Sequence, residues 1–551
     1  MPSTALDSLR QIENALAAEA PFADWHEIVN RTITFYERAL DLLATRLPAA
    51  VDLLSALRSA PPERRYRVLG DPAVRTALND ALARHKRGIL HSPDEAEDIL
   101  REVAPLLASN AALAPSELGA PEQMRIGVEP YHAAVWRNER EETQVSRRFQ
   151  QLFEREISTS ISSSPTVLRS PDDQLSKNLT EGAALLAELL PEAGRSAMAH
   201  VHLVALVDVA DRRKWHAQIR ADLCQNVSTH AIPGTIFLSP SPLKSPWHAA
   251  EALFHEAGHK KLSDLVFTRS IFAPGYSEKN SPTIPALWNR SLSWNSADWS
   301  IDRALFAFHV YVHLGLFFAL VAERAAELEP RFGPLCGMNP HQSARGAYNK
   351  ARYLGREIRR LADNTLGADG RTFVDWMMNV LDRLDPSPPV DDPSVHLMLD
   401  RYDRETREIG ELLRRVPETQ RIPSNDAEDA PYNEWSARRL ADHLVHSEMV
   451  SSYRLLSTLG EPEVPTFPFY HGDRWSIAAP STATPAEQAA AFIGLRTFIS
   501  RTMRATPEES YSRECHTRRT KPLRELLADT VEHAGRHIDD IVQRLRMELR
   551  G

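Results

Sequence analysis

From Trp25 to Arg87 apolar residues recur at three- and four-residue intervals, a spacing that predicts helices. Pro48, Pro61 and Pro62 interrupt the pattern, and Asp71 followed by Pro72 opens a further helix. Residues 109–175 are rich in Pro, Ser, Glu and Arg and are expected to be flexible surface apart from a helix over 139–157. HVHLVALVDV and GTIFLSP are short, β-branched and bounded by Pro or Gly, which predicts two strands of a small sheet. A helix starting near Ser245 follows, then a long apolar helix from Asp298 to Glu327, and the two are expected to pack together.

The prolines of 386–393 mark a linker, because each lacks an N–H and disfavours helix in the residue before it. Beyond it, amphipathic patterns at 394–416, 434–458, 484–504 and 521–548 predict a four-helix bundle. The expected fold class is therefore mainly α. A helical domain with a small β element (1–385) precedes a C-terminal bundle (394–551).

The chain has 551 residues, enough for several cores; 42% are hydrophobic and 25% charged, as in ordinary globular proteins. No uninterrupted apolar run is long enough to span a bilayer, and the first residues lack a basic-then-apolar signal pattern, so a soluble cytoplasmic protein is expected. A formal net charge of −9 argues against nucleic acid as a partner, since phosphate neutralisation needs clustered cations. Arg212, Arg213 and Lys214 are taken as a solvated face. Cys224, Cys336 and Cys515 lie far apart and form no CxxC, so any metal must be held by His and carboxylate.

Such a set stands in LFHEAGHKKL. His255 and His259 are four apart and share a helical face, where both imidazoles can turn to one cation, with Glu256 beside them. Gly258 costs this helix about 1 kcal/mol against Ala, so something other than propensity favours it. A third ligand is sought in RALFAFHVYVHLGLFF, where His309 and His313 share a face. The extended HExxHxxGxxH pattern is absent, Leu265 standing at its third His, and Glu323 or Glu327 would have to complete a glutamate-ligated zinc site. In a hydrolase Glu256 would be the base that activates metal-bound water.

The stretches RYRVLGDPAV, IPGTIFLSPSPLKSPWHAAEALFHEAGHKKL and the Trp-rich loop leading to YVHLG resemble the HExxH-motif peptide-modification proteins over about 60–385. That family includes 2-oxoglutarate-dependent peptide β-hydroxylases. Tyr311, His313, Leu314 and Gly315 match its Tyr-x-His-Leu-Gly element, which favours His313 over His309 as third ligand. The family's Pro-Arg-Pro is replaced by SIDRALF, so Arg303 is a displaced candidate for the 2-oxoglutarate carboxylate, with an ion pair to Asp302 or Glu323 as the alternative. The resemblance implies Fe(II) with 2-oxoglutarate, hydroxylating a peptide or amino-acid-derived substrate in a biosynthetic pathway, with Glu256 no longer the hydrolytic base.

In the C-terminal bundle EWSARRLADHLVHSE carries Trp435, His443 and Glu448, and EHAGRH places His533 and His537 four apart. Three helix-borne histidines can converge inside such a bundle. The segment resembles DinB-like metal-binding bundles: a Trp-Ser opening, a His five before a Glu, and a closing Glu-His-x-x-x-His, with Trp475, Arg518, Arg519 and Lys521 in matching places. The resemblance implies His443, His533 and His537 as ligands to a second divalent metal (Zn, Ni or Fe), with His446 solvent-facing. The rival functions are a zinc peptidase or other hydrolase, and a thiol- or peptide-binding module.

Overall fold

The computed structural model describes residues 4–87, 95–108, 124–128, 131–137, 144–158, 166–209, 226, 229, 231–289, 296–385, 394–417, 435–468, 470, 475 and 482–548. Arg212, Arg213, Lys214, Cys224 and the 386–393 linker lie outside them. The chain divides into two compact units. One comprises Met1–Ile284, Ser293–Asn295 and Trp299–Pro388, the other Pro285–Leu292, Ser296–Asp298 and Pro389–Gly551. A short stretch before the long apolar helix thus belongs to the second unit, a connection that the linear pattern does not reveal.

The first unit begins with α1 (Thr4–Ala18), α2 (Trp25–Ala44), α3 (Pro48–Ser59), α4 (Pro62–Gly70), α5 (Pro72–Arg87) and α6 (Glu95–Ala108). The prolines that interrupt the apolar periodicity are helix starts: Pro48, Pro62 and Pro72 each stand first in a helix, where an N–H would lack a partner anyway. Asp71 accepts from the backbone of Ala73 and Val74, capping α5. Leu40, Leu53, Leu57, Leu78 and Leu100 meet in the shared core of these helices.

Within residues 109–175 the expected helix is present as α7 (Gln144–Glu156), but other described parts form strands in place of flexible surface: β1 (Arg125–Val128), β2 (Tyr131–Val135) and β3 (Thr166–Arg169). These strands have four or five residues, too few for an alternation that stands out from polar surroundings. After α8 (Asp173–Leu189) and α9 (Ala193–Met198) come the two strands expected from sequence, β4 (Leu203–Val209) and β5 (Thr235–Leu238). β4 is buried along its whole length, parallel to β2 and β5 and antiparallel to β3, and β1 closes the sheet antiparallel to β2. Such a strand has no polar face, which explains its continuous apolar run.

α10 (Pro246–Thr268) begins one residue after Ser245, with Pro246 in its first turn, and α11 (Ile301–Phe332) packs on it. α11 is long and apolar enough to cross a bilayer, more so than a search for uninterrupted apolar runs shows, but 83% of its most apolar window is buried inside the protein. α12 (Pro340–Arg360) and α13 (Ala368–Leu384) cover it.

The second unit contains α14 (Ser394–Leu413), α15 (Ala437–Gly460), α16 (Pro485–Arg504) and α17 (Leu523–Glu548), the four helices expected from sequence, with a small ladder of β6 (Glu514–His516) and β7 (Thr520–Pro522). Ile409, Leu440, Phe492 and Ile538, one from each helix, share a core. Thr484 and Glu487 form a reciprocal capping box at the start of α16.

Candidate metal centres

α10 carries the HExxH turn on a helix whose partner crosses close by. A Cβ on Gly258 would come within 3.3 Å of Val310 Cγ2, so the glycine lets α11 approach and the packing offsets its helix cost. His255 and His259 lie one turn apart with ring centroids 5.2 Å from each other. His255 keeps 30% of its side-chain surface, whereas Glu256 is buried. Two carboxylates flank His255: Glu251 Oε1 is 3.8 Å from Nδ1 and Glu256 Oε1 is 3.8 Å from Nε2. Burial opposes the imidazolium, but the nearby Glu251 and Glu256 carboxylates outweigh it and raise the pKa, with Lys350 opposing. The position therefore attracts positive charge. Glu251 was legible as the residue one turn before His255; Lys350, on α12, was not.

His313 and His309 are both buried on α11, with centroids 4.2 Å apart. His313 Nδ1–H donates to the carbonyl of His309 at 2.9 Å, which leaves Nε2 as a lone pair with no hydrogen-bond partner among the described residues. Burial and the charge of Lys261 lower its pKa to about 3. A backbone carbonyl on one ring nitrogen and a bare lone pair on the other is the habit of a metal-ligating histidine. Its ring, however, meets Phe254, while His259 lies against Phe306. The structure thus brings His255 and His259 together and sets His313 on the neighbouring helix, not within a three-donor cluster with them.

Arg303 is exposed and lies over the ring of Trp299 at 4.9 Å. Asp302, one of its anticipated partners, accepts from the hydroxyl of Tyr276 at 2.5 Å. Sequence reasoning missed a buried polar set on the far side of α10. Asp264 accepts from Arg75 at 2.6 Å and sits 2.8 Å from His200 Nδ1. Lys261 Nζ donates to the carbonyls of Leu16 and Ala23 and to Ser196 Oγ.

In the bundle the three histidines do converge. His443 on α15 and His533 and His537 on α17 are the one group of three metal-type side chains among the described residues whose donor atoms all lie within 4.8 Å of one another. His533 Nε2 is 3.3 Å from His443 Nε2 and 3.3 Å from His537 Nε2. Tetrahedral coordination with metal–nitrogen bonds of about 2.0–2.1 Å sets its nitrogens about 3.3–3.4 Å apart. Asp540 Oδ2, 3.3 Å from His537 Nδ1, favours the proton there and leaves the Nε2 lone pair turned to the centre. Burial, then the neighbouring His537 and His443, lowers the pKa of His533 to about 3, so that ring is neutral and able to ligate. The donor set fits a divalent metal with one position left open.

Around this centre Trp435 packs edge-on to His443 at 5.4 Å, and Ser447 Oγ lies 3.4 Å from His443 Nε2. Glu448 is buried and accepts from Tyr402. His446, expected to face solvent, is half-buried, with its ring 6.4 Å from that of Trp475. Arg519 pairs with Glu525, and Lys521 with Asp529. Cys515 is buried and Cys336 exposed, both as free thiols.

The chain matches no family model and no curated protein.

Proposed function

We propose that this protein is a metal-dependent enzyme with two histidine centres, one in the bundle and one at the HExxH turn. The observation that carries the metal reading is the convergence of three Nε2 atoms at 3.3 Å contacts in the bundle. For the HExxH turn we propose a non-haem Fe(II)- and 2-oxoglutarate-dependent oxygenase that hydroxylates a peptide or amino-acid-derived substrate. What supports this is the sequence resemblance over 60–385, the paired His255 and His259, and the bare Nε2 of His313. Fe(II) with the keto acid and O₂ would supply the oxidant; His255 and His259 would hold the metal, with His313 as the proposed third ligand. Glu251 and Glu256 place negative charge beside the cation. A cytoplasmic location suits the two described free thiols.

Zinc-dependent hydrolysis is favoured by a different observation, the buried Glu256 carboxylate 3.8 Å from His255 Nε2, where a general base would stand. The two readings part on co-substrates. Anaerobic loading with Fe(II) followed by 2-oxoglutarate should produce the visible charge-transfer band of a chelated keto acid, and His259→Ala should remove it. Fe(II) bound at the HExxH turn without that band would rule out the oxygenase.

A further inference from the structure

Ser447 stands four residues after His443 on α15, and both side chains are buried. Residues four apart share one face of a helix, and each side chain leans towards the helix N-terminus, so the serine hydroxyl reaches back over the imidazole. Its Oγ lies 3.4 Å from His443 Nε2, the same nitrogen that faces His533 Nε2 at 3.3 Å. Among the described residues His443 Nε2 is the only hydrogen-bond partner of this hydroxyl.

A metal held by the three histidines takes the lone pair of His443 Nε2. The hydroxyl then loses its partner, and a buried hydroxyl without one is costly. The geometry points to where it turns. Donor atoms around a tetrahedral metal stand about 3.3–3.4 Å apart, so an oxygen 3.4 Å from one ligand nitrogen borders the coordination sphere. The usual protein ligands of such a metal are imidazole, thiolate and carboxylate, not a neutral hydroxyl. What the serine can offer is its proton, given to the group that fills the open position.

We propose that Ser447 is a hydrogen-bond donor to the open position of the bundle centre and makes it selective for a small anion whose ligating atom keeps a lone pair once it has bound the metal. Such an atom accepts from the serine while it holds the metal, and its negative charge strengthens the bond. Burial strengthens it further by keeping water from competing. A neutral nitrogen base commits its one lone pair to the metal and gains nothing from the serine. This rests on the bundle centre holding a metal, and the test separates the two statements.

The full chain carrying His259→Ala, to silence the first centre, is loaded with Co(II), and its visible absorption is followed in parallel titrations with azide and with imidazole. Both should shift the spectrum. Ser447→Ala should weaken azide at least about tenfold, the usual worth of a hydrogen bond to a charged group, with Co(II) content and imidazole affinity unchanged. Ser447→Thr keeps the hydroxyl and should bind azide more tightly than Ser447→Ala. Equal azide affinity in Ser447→Ala and its parent, or equal losses for azide and imidazole, overturns the role of Ser447 while the metal stands. So does a parent that holds Co(II) and ignores azide. Failure of the parent to take up Co(II) overturns the metal reading, and the serine's role with it.

Discussion

Asp264 is gripped from two sides, by Arg75 at 2.6 Å and by His200 at 2.8 Å, and all three side chains are buried. Burial alone would raise the Asp264 pKa, but the Arg75 charge and the His200 hydrogen bond hold it well below the usual carboxylate range. Removing that carboxylate strands a buried guanidinium, so Asp264→Asn should lower the unfolding free energy by roughly 3–5 kcal/mol, measured by urea denaturation. A loss under about 1 kcal/mol would show the pair to be dispensable. The pKa values of His200 and His309 are lowered too, here by burial itself, and well down for His309. As pH falls the unfolded chain takes up these protons before the folded chain does, so stability is held above about pH 6.5 and declines below it. Melting temperature should fall between pH 7 and pH 5, and His309→Leu should flatten the fall. At this scale the sequence displayed ligand types and spacings, His255 with His259 and His533 with His537. Partners brought in from other elements, such as Arg75 at Asp264 and Lys350 near His255, depend on how helices meet.

Helix crossings are where the small residues of the motifs act. A Cβ on Gly315 would stand 2.6 Å from Tyr348 Cε1 and 3.2 Å from Leu384 Cδ2, both in buried side chains of α12 and α13. Gly315→Ala should therefore cost about 1–3 kcal/mol despite the gain in helix propensity. Gly346 on α12 has nothing within 4 Å of its would-be Cβ, and Gly346→Ala should stabilise by up to about 1 kcal/mol. Denaturation of the two variants side by side checks the crossing; a stabilised Gly315→Ala would mean that α11 and α12 do not pack so closely. The amphipathic bundle helices and the apolar β4 and β5 were legible because each keeps one periodicity for its whole length. β1, β2 and β3 were not, since they stand in polar, Pro- and Ser-rich surroundings and are fixed by pairing, β1 with β2 and both β2 and β3 with β4.

The chain divides into two compact units, and the one that holds the bundle carries the three-histidine group. A metal that binds only folded protein stabilises the unit holding it by RT ln(1 + [L]/Kd), about 2.7 kcal/mol at a hundredfold excess over Kd. Calorimetry with and without Zn(II) should raise one transition through the bundle centre, and His537→Ala should abolish that rise. An unchanged melt on adding Zn(II) would remove the metal from the bundle. By itself the sequence determined that the protein is mainly helical, where the four C-terminal helices lie, and which histidines share a helical face, because periodicity and i,i+4 spacing are properties of a single element. Only the tertiary structure decided that His443 meets His533 and His537 while His313 meets Phe254, and that Arg496 is buried against the ring of Tyr402. Those outcomes depend on the register between helices, which no single helix encodes.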